Sequence, residues 1–160
     1  MLRKIILLRH AKSSWEDPSL RDFDRPLSKR GMKDIKLMKV QMASLVRDVD
    51  EIYSSPSIRT SQTINQIAPE FSHVKYLESL YLADVSVVLS LLESIQRRIK
   101  SVMIVGHNPC IQETMEIIWK KPVVKFPTCA AAVFSLQISS SKTAIPIGNL
   151  EQFIKPRDFK

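Results

Sequence analysis

The segment "IILLRHAKSSW", residues 5–15, predicts the first strand of a sheet and shows which side chains follow the end of that strand. Four consecutive aliphatic residues are typical of a strand that is buried on both faces of a sheet. Arg9 and His10 follow directly, and the chain then becomes small and polar. The strand either ends in solvent there, or it presents an arginine and a histidine at its carboxyl end for chemistry.

The composition favours one globular domain, residues 1–160, with an anionic partner. Lys and Arg outnumber Asp and Glu by 24 to 16, which gives a net charge of +8. Such a balance suits nucleic acid, an anionic membrane or a phosphorylated substrate. The two cysteines, Cys110 and Cys129, form no zinc-binding pattern, and no apolar run approaches the roughly 20 residues of a membrane helix. We therefore expect a reduced, cytoplasmic protein.

Apolar runs alternate with segments of helical periodicity along the chain. The predicted strands are KIILL (4–8), EIYSS (51–55), HVKYLE (73–78), SVMIVG (101–106), AAAVFSLQI (130–138) and TAIPI (143–147). Two helices are predicted to begin at Ser28 and Ser57, with Ile58 facing inward in the second, and two more to span 84–99 and 109–120. This repetition predicts an α/β sandwich with a largely parallel sheet and a closing antiparallel pair, followed by a basic tail, 151–160, with no assigned role.

Three predicted strands end in residues that suit one anionic site. The first strand delivers Arg9 and His10, the second places Arg59 in the first turn of a helix, and the fourth delivers His107. Ligands of open α/β sheets bind just beyond the carboxyl ends of the strands. We therefore expect these four side chains to gather at one rim of the sheet.

Two arginines beside helix N-termini are typical of a phosphate-binding site. A guanidinium offers a rigid fork of donors that matches phosphate oxygens, and helix N-termini add backbone N–H groups. The sequence contains no G-x-x-x-x-G-K-[ST] loop, no G-x-G-x-x-G motif and no acidic cluster that would hold magnesium. The predicted pocket therefore handles phosphate through its own cations, without a metal or another cofactor.

A histidine among arginines tends to remain neutral, because protonation would add a cation to a cationic site. A neutral imidazole is a nucleophile, so His10 can attack phosphorus and form a phosphohistidine that water later hydrolyses. Arg9, Arg59 and His107 would stabilise the charge on the phosphoryl oxygens.

Four motifs, LLRHAKSSW, DFDRPLSKRG, YSSPSIRTSQT and VGHNP, occur in this order and resemble the histidine phosphatase (phosphoglycerate mutase-like) superfamily. The short chain and the RHA tripeptide are similar to its small phosphohistidine phosphatase branch, the SixA type. The resemblance implies a three-layer α/β sandwich with a central mixed, mostly parallel sheet flanked by helices. It assigns His10 as the phosphorylated residue and Arg9, Arg59 and His107 to the phosphate pocket. It also implies supporting contacts to the phosphate from Arg25 and Ser13.

The sequence departs from larger family members at the carboxylic acid that protonates the leaving oxygen. Glu78 lies near the expected place after the third strand, and the other candidates are Asp84, Asp17, Asp22 and Asp24. Acid catalysis typically contributes about 10²–10⁴-fold for an alkoxide leaving group. A P–N bond needs less help, so the weak match favours phosphoramidate substrates such as phosphohistidine. The short chain also favours an open pocket, which suits a phosphorylated protein such as a histidine phosphotransfer domain.

Two other functions are compatible with the sequence. One is a phosphatase of a small phosphorylated metabolite, and the other is a basic nucleic-acid-binding module. Aromatic residues make up only 7% of the chain and do not alternate with basic residues as a stacking surface requires. The sequence therefore favours a phosphorylated protein or metabolite over nucleic acid or a membrane as partner.

Overall fold

The computed structural model describes residues 1–138 and 146–160. Within them the chain forms six strands and four α-helices, with short 3-10 turns between some of these elements. The elements in chain order are β1 (Leu2–Arg9), α1 (Lys29–Arg47), β2 (Glu51–Ser54), α2 (Ile58–Ile67), β3 (Val74–Tyr76), α3 (Val85–Ser94), β4 (Ser101–Gly106), α4 (Cys110–Trp119), β5 (Ala131–Gln137) and β6 (Gly148–Ile154).

The strands form one mixed sheet in the order β3-β2-β4-β1-β5-β6. Strands β3, β2, β4 and β1 are parallel to one another, whereas β5 runs antiparallel to β1 and β6 antiparallel to β5. The predicted mixed, mostly parallel sheet is therefore confirmed. Because β1, β2 and β4 are parallel neighbours, their carboxyl ends lie at the same edge of the sheet.

The alternation of side chains along β1 divides the core into two layers. Ile5 and Leu7 pack on the face that α3 and α4 cover, whereas Ile6 and Leu8 pack on the face that α1 and α2 cover. All four side chains are fully buried. Successive residues of a strand point to opposite faces, so an unbroken apolar run is what a sheet between two helical layers requires. The expected three-layer sandwich is confirmed.

Helix α1 begins where the sequence predicts. The Ser28 hydroxyl accepts a hydrogen bond of 3.0 Å from the Gly31 backbone N–H, as an N-cap residue does. The same hydroxyl donates to the Lys12 carbonyl, and a Cβ at Gly31 would lie only 2.3 Å from that oxygen. The start of α1 therefore packs directly against the polar segment that follows β1.

Three sequence predictions about these elements are wrong in detail. Helix α3 ends at Ser94 rather than near residue 99. The buried Arg3 guanidinium donates to the carbonyls of Leu92, Ile95, Gln96 and Ile99, which a continuous helix would spread over about 10 Å, beyond the reach of one guanidinium. Ile58, predicted to face inward, is 36% exposed. The last strand is Gly148–Ile154, so most of the supposed tail 151–160 is a strand and a 3-10 turn. Residues 143–145 of the predicted TAIPI strand lie outside the described residues.

No helix in residues 1–138 and 146–160 is both long and apolar enough to cross a membrane.

Candidate active site

Two histidines meet at the carboxyl edge of the sheet. Arg9 closes β1 and pairs in register with Gly106, the last residue of β4, so the residues that follow, His10 and His107, lie side by side. The His10 backbone N–H extends the pairing by donating to the Gly106 carbonyl over 3.1 Å. The two imidazole ring centroids are 5.1 Å apart. The first part of the expected site is therefore assembled by the register of two parallel strands.

The backbone fixes which nitrogen of His10 can react. Nδ1 lies 2.7 Å from the Ala11 carbonyl oxygen, which can only accept a hydrogen bond. Nδ1 therefore carries the proton, and Nε2 carries the lone pair of the neutral ring. Nε2 faces the Arg59 Nε–H at 3.4 Å, so the lone pair points at a cation.

Arg59 connects the two imidazoles. Its Nε faces His10, and its Nη2 lies 3.3 Å from Nδ1 of His107. Arg59 lies in the first turn of α2, and the Thr63 hydroxyl one turn later donates to its carbonyl. The same hydroxyl accepts the Ala11 N–H over 3.0 Å, so one side chain ties α2 to the loop that carries His10.

Both histidines are held neutral. Burial, supported by the charges of Arg59 and Arg9, lowers the pKa of His10 to about 3 and the pKa of His107 to about 4. The hydrogen bond from His10 to Ala11 works in the opposite direction and is outweighed. At neutral pH the site therefore combines two guanidinium cations with two uncharged imidazoles.

Arg9 has a donor without a partner in the part of the chain that the structure describes. Its Nη1 donates to the Phe126 carbonyl over 2.9 Å, and the Asn108 side-chain amide donates to the same oxygen. Its buried Nε has no hydrogen-bond partner among the described residues. A buried, unpartnered guanidinium N–H costs free energy unless a ligand accepts from it. The arrangement therefore suits an oxyanion.

Ser55, the residue that follows β2, orients the His107 ring. Its Nε2 lies 2.8 Å from the Ser55 hydroxyl oxygen, and the Ser55 carbonyl accepts from Thr60 in α2. With Nε2–H donating to Ser55, the Nδ1 of the neutral ring is the acceptor that faces Arg59. The sequence analysis did not single out Ser55, although its place at a strand end offered a signal.

Arg25 and Ser13 lie beside this cluster and contact each other. The Arg25 Nη2 donates to the Ser13 hydroxyl over 2.7 Å, its Nε donates to the Ser14 carbonyl, and its Nη1 donates to Asp22 over 3.0 Å. The ring of Trp15 covers the guanidinium at 3.2 Å and is itself 70% exposed. Within residues 1–138 and 146–160, side-chain hydrogen bonds therefore connect Arg25 to the histidines through Asp22 and Arg59, and Ser13 through Arg25.

The candidate acids lie in different surroundings. Glu78 is exposed at the start of a 3-10 turn, and the described residues offer it no contact with His10 or His107. Asp84 is also exposed, Asp17 bonds to Ser19, and Asp24 pairs with the exposed Arg21. Of the five carboxylates considered from the sequence, only Asp22 contacts a pocket residue.

Tyr81 reaches the site from the segment where an acid was expected. Its hydroxyl donates to the Asp22 carboxylate over 2.6 Å, and its ring lies edge-on to His107 with centroids 5.5 Å apart. Phe23 also packs edge-on against the tyrosine ring, with the centroids 5.0 Å apart. The sequence analysis missed Tyr81, because its position depends on how two loops meet.

The described residues contain no group of three or more His, Cys, Asp or Glu side chains that could hold a metal ion. The guanidinium groups of Arg9 and Arg59 are donors, which suit an anion.

Comparison with known proteins identifies the family. The model of the histidine phosphatase superfamily (branch 1) matches residues 5–87, a little more than half of the chain. The chain belongs to this superfamily.

Individual relatives are similar over most of this chain. An uncharacterized chloroplastic protein of Arabidopsis thaliana is 34% identical over 143 residues, which cover 82% of this chain and 65% of the relative. This chain thus spans about two thirds of that protein's length. A proposed phosphohistidine phosphatase SixA from Agrobacterium tumefaciens is 30% identical, with a TM-score of 0.82 over 96% of this chain and 98% of that one.

A protein histidine phosphatase SixA in complex with tungstate superposes over 98% of this chain and 99% of that one with a TM-score of 0.82. At 21% identity this similarity concerns the fold.

Proposed function

We propose that the protein is a phosphatase that works through a covalent phosphohistidine on His10. The observation that carries the proposal is the geometry of the His10 ring. Its Nδ1 proton is held by the Ala11 carbonyl, and its Nε2 lone pair faces the Arg59 guanidinium. Burial keeps the pKa of His10 near 3, so the nucleophile is present without a base to deprotonate it.

The reaction has two displacements at phosphorus. In the first, the Nε2 lone pair of His10 forms a bond to phosphorus, and the electron pair of the breaking bond goes to the leaving atom. In the second, a water oxygen attacks phosphorus, and the pair of the P–N bond returns to Nε2. Both water protons leave with the released phosphate, and His10 keeps its Nδ1 proton, so the enzyme ends as it began.

Arg9 and Arg59 would stabilise the phosphoryl oxygens in both steps, and His107 would support Arg59. The Nε–H of Arg9 has no partner among the described residues, and the Nε–Nη2 edge of Arg59 faces the two imidazoles, so both are directed at the place where the phosphoryl group would bind. Fixed donors of this kind cost no reorganisation during the reaction, and losing one typically slows an enzyme about 10²–10³-fold. The one N–H of the neutral His107 ring is directed at Ser55, so this ring would act through its Nδ1, which faces Arg59 Nη2 and helps to hold that guanidinium in place.

We propose phosphohistidine on a protein as the substrate. Protonating an alkoxide requires an acid that holds its proton at neutral pH, and Asp22, the carboxylate nearest the pocket, has a pKa lowered to about 2. An imidazole leaving group has no such requirement. The 30% identity to the SixA protein from Agrobacterium tumefaciens supports the same choice.

A substrate comparison tests the proposal. We expect kcat/KM on phosphohistidine and phosphoramidate to exceed that on glycerol 3-phosphate by at least 100-fold, and His10→Asn to abolish turnover of all three. His73→Asn, at an exposed histidine away from the site, is the matched control and should retain full activity. Equal rates on glycerol 3-phosphate would support a metabolite phosphatase instead. Undiminished turnover by His10→Asn would refute the covalent mechanism.

A further inference from the structure

Asp22 and Tyr81, the more exposed residues beside Arg59, form what we call the pocket mouth. Asp22 connects this mouth to Arg59 and Arg25. Its Oδ2 accepts from Arg59 Nη2 over 2.9 Å and from the Tyr81 hydroxyl over 2.6 Å, and its Oδ1 accepts from Arg25 Nη1 over 3.0 Å. Its backbone carbonyl accepts from Arg59 Nη1 over 2.7 Å. The carboxylate is therefore fixed in position by three donors.

The Asp22 carboxylate retains one acceptor position for a ligand. Two carboxylate oxygens offer about four acceptor positions. Three are filled by hydrogen bonds within the described part of the chain, and the remaining one is on Oδ1. The side chain is 42% exposed, whereas that of Arg59 is 4% exposed. A ligand that enters the mouth can therefore meet Asp22.

Arg59 sets the position of Asp22 relative to the nucleophile. The Nε–Nη2 edge of its guanidinium faces His10 and His107, and its Nη1–Nη2 edge holds Asp22. A phosphoryl group bound to the first edge has the carboxylate as its neighbour along the same guanidinium. An in-line displacement expels the leaving group away from the attacking nitrogen. Among the groups that contact Arg59, the His10 and His107 rings are buried and the Asp22 side chain is 42% exposed, so Asp22 is the one that an outgoing ring on a protein surface can meet.

We propose that Asp22 is a specificity-determining residue that selects a protonated imidazole as the leaving group and rejects anionic ones; this inference rests on the proposed function. In a protonated phosphohistidine, the ring nitrogen that does not carry phosphorus bears an N–H, which donates to Oδ1 of Asp22. When the P–N bond breaks, its electron pair returns to the leaving nitrogen, and a neutral imidazole departs. An unprotonated ring would have to leave as an imidazolate anion. Asp22 keeps its own charge throughout and transfers no proton.

The test compares leaving groups of different charge in the wild type and in Asp22→Asn. The substrates are phosphohistidine, 3-phosphoglycerate and glycerol 3-phosphate. The leaving group of 3-phosphoglycerate carries a carboxylate, and that of glycerol 3-phosphate is its uncharged counterpart. A hydrogen bond to a charged group corresponds to a factor of about 10–100. We expect Asp22→Asn to lower the kcat/KM ratio of phosphohistidine to glycerol 3-phosphate by that factor. The ratio of 3-phosphoglycerate to glycerol 3-phosphate should rise.

A pH profile separates charge selection from simple positioning. The carboxylate favours the protonated ring of the bound substrate. In the pH profile of kcat with phosphohistidine, Asp22→Asn should therefore move the alkaline limb to lower pH. A variant that only displaces Arg59 would slow every substrate by one factor and leave the limb in place. Asp22→Glu retains the charge and should recover part of the phosphohistidine preference.

Asp24→Asn is the matched control, because Asp24 lies in the same 3-10 turn and pairs with the exposed Arg21. It should change neither ratio. Unchanged ratios and pH limb in Asp22→Asn, with turnover of phosphohistidine by the wild type, would overturn this inference alone. No turnover of phosphohistidine by the wild type would overturn the proposed function.

Discussion

Replacing Arg59 by lysine should slow the reaction about 10²–10³-fold while leaving the charge of the pocket intact. The guanidinium directs Nε to His10, Nη2 to His107 and Asp22, and Nη1 to the Asp22 carbonyl. A lysine has one ammonium nitrogen and cannot hold Asp22 while donating along the edge that faces both imidazoles. The loss of one such donor costs about 2.7–4 kcal/mol of transition-state stabilisation, which corresponds to the stated factor.

The assay is kcat and KM with phosphoramidate, together with the rate of the first turnover. Because lysine retains the cation, we expect most of the loss in kcat rather than in KM. Arg21→Lys makes the same chemical change at an exposed residue paired with Asp24, and should alter the rate less than twofold. If Arg59→Lys keeps more than a third of the wild-type kcat, the reaction does not require one guanidinium to face both imidazoles and hold Asp22 at the same time.

Two further predictions concern stability. Since the pKa of His10 is lowered to about 3 and that of His107 to about 4, the unfolded chain binds more protons below the ordinary histidine pKa of 6.5. As the pH is lowered from 6.5 to 4, the free energy of unfolding should therefore fall by about 1.4 kcal/mol per pH unit for each ring. A melting temperature at pH 5 that is no lower than at pH 7 would contradict this. Gly31→Ala should lower the melting temperature, because a Cβ 2.3 Å from the Lys12 carbonyl oxygen costs about 1–3 kcal/mol, more than the roughly 1 kcal/mol gained in helix propensity. Ser44→Ala, at an exposed position of the same helix, should be neutral or stabilising.

The sheet and its strand ends could be predicted because they follow from local patterns. The apolar run of β1 specifies a strand buried on both faces, and parallel neighbours must end at one edge. The meeting of His10, Arg59 and His107 was therefore predictable from their places after three strands. The structure confirms their proximity, while their catalytic roles remain proposals.

The mouth of the pocket could not be predicted in the same way. Tyr81 and Asp22 come from two loops whose conformations depend on tertiary contacts, and neither residue stands at a strand end. From the sequence Asp22 was one of several possible acids, whereas its three donors identify it as a fixed anion. Strand β6 was missed for a different reason, since its exposed and half-buried residues alternate along an edge of the sheet and give a weak apolar signal.

Direct detection of the covalent intermediate tests the central claim most directly. The enzyme is mixed with phosphoramidate, quenched in alkali on the millisecond scale, digested and mapped for phosphate. We expect acid-labile, alkali-stable phosphate on the peptide that carries His10, forming and decaying at least as fast as kcat and absent from His10→Asn. Steady turnover with no phosphate on His10 at any quench time would contradict the account.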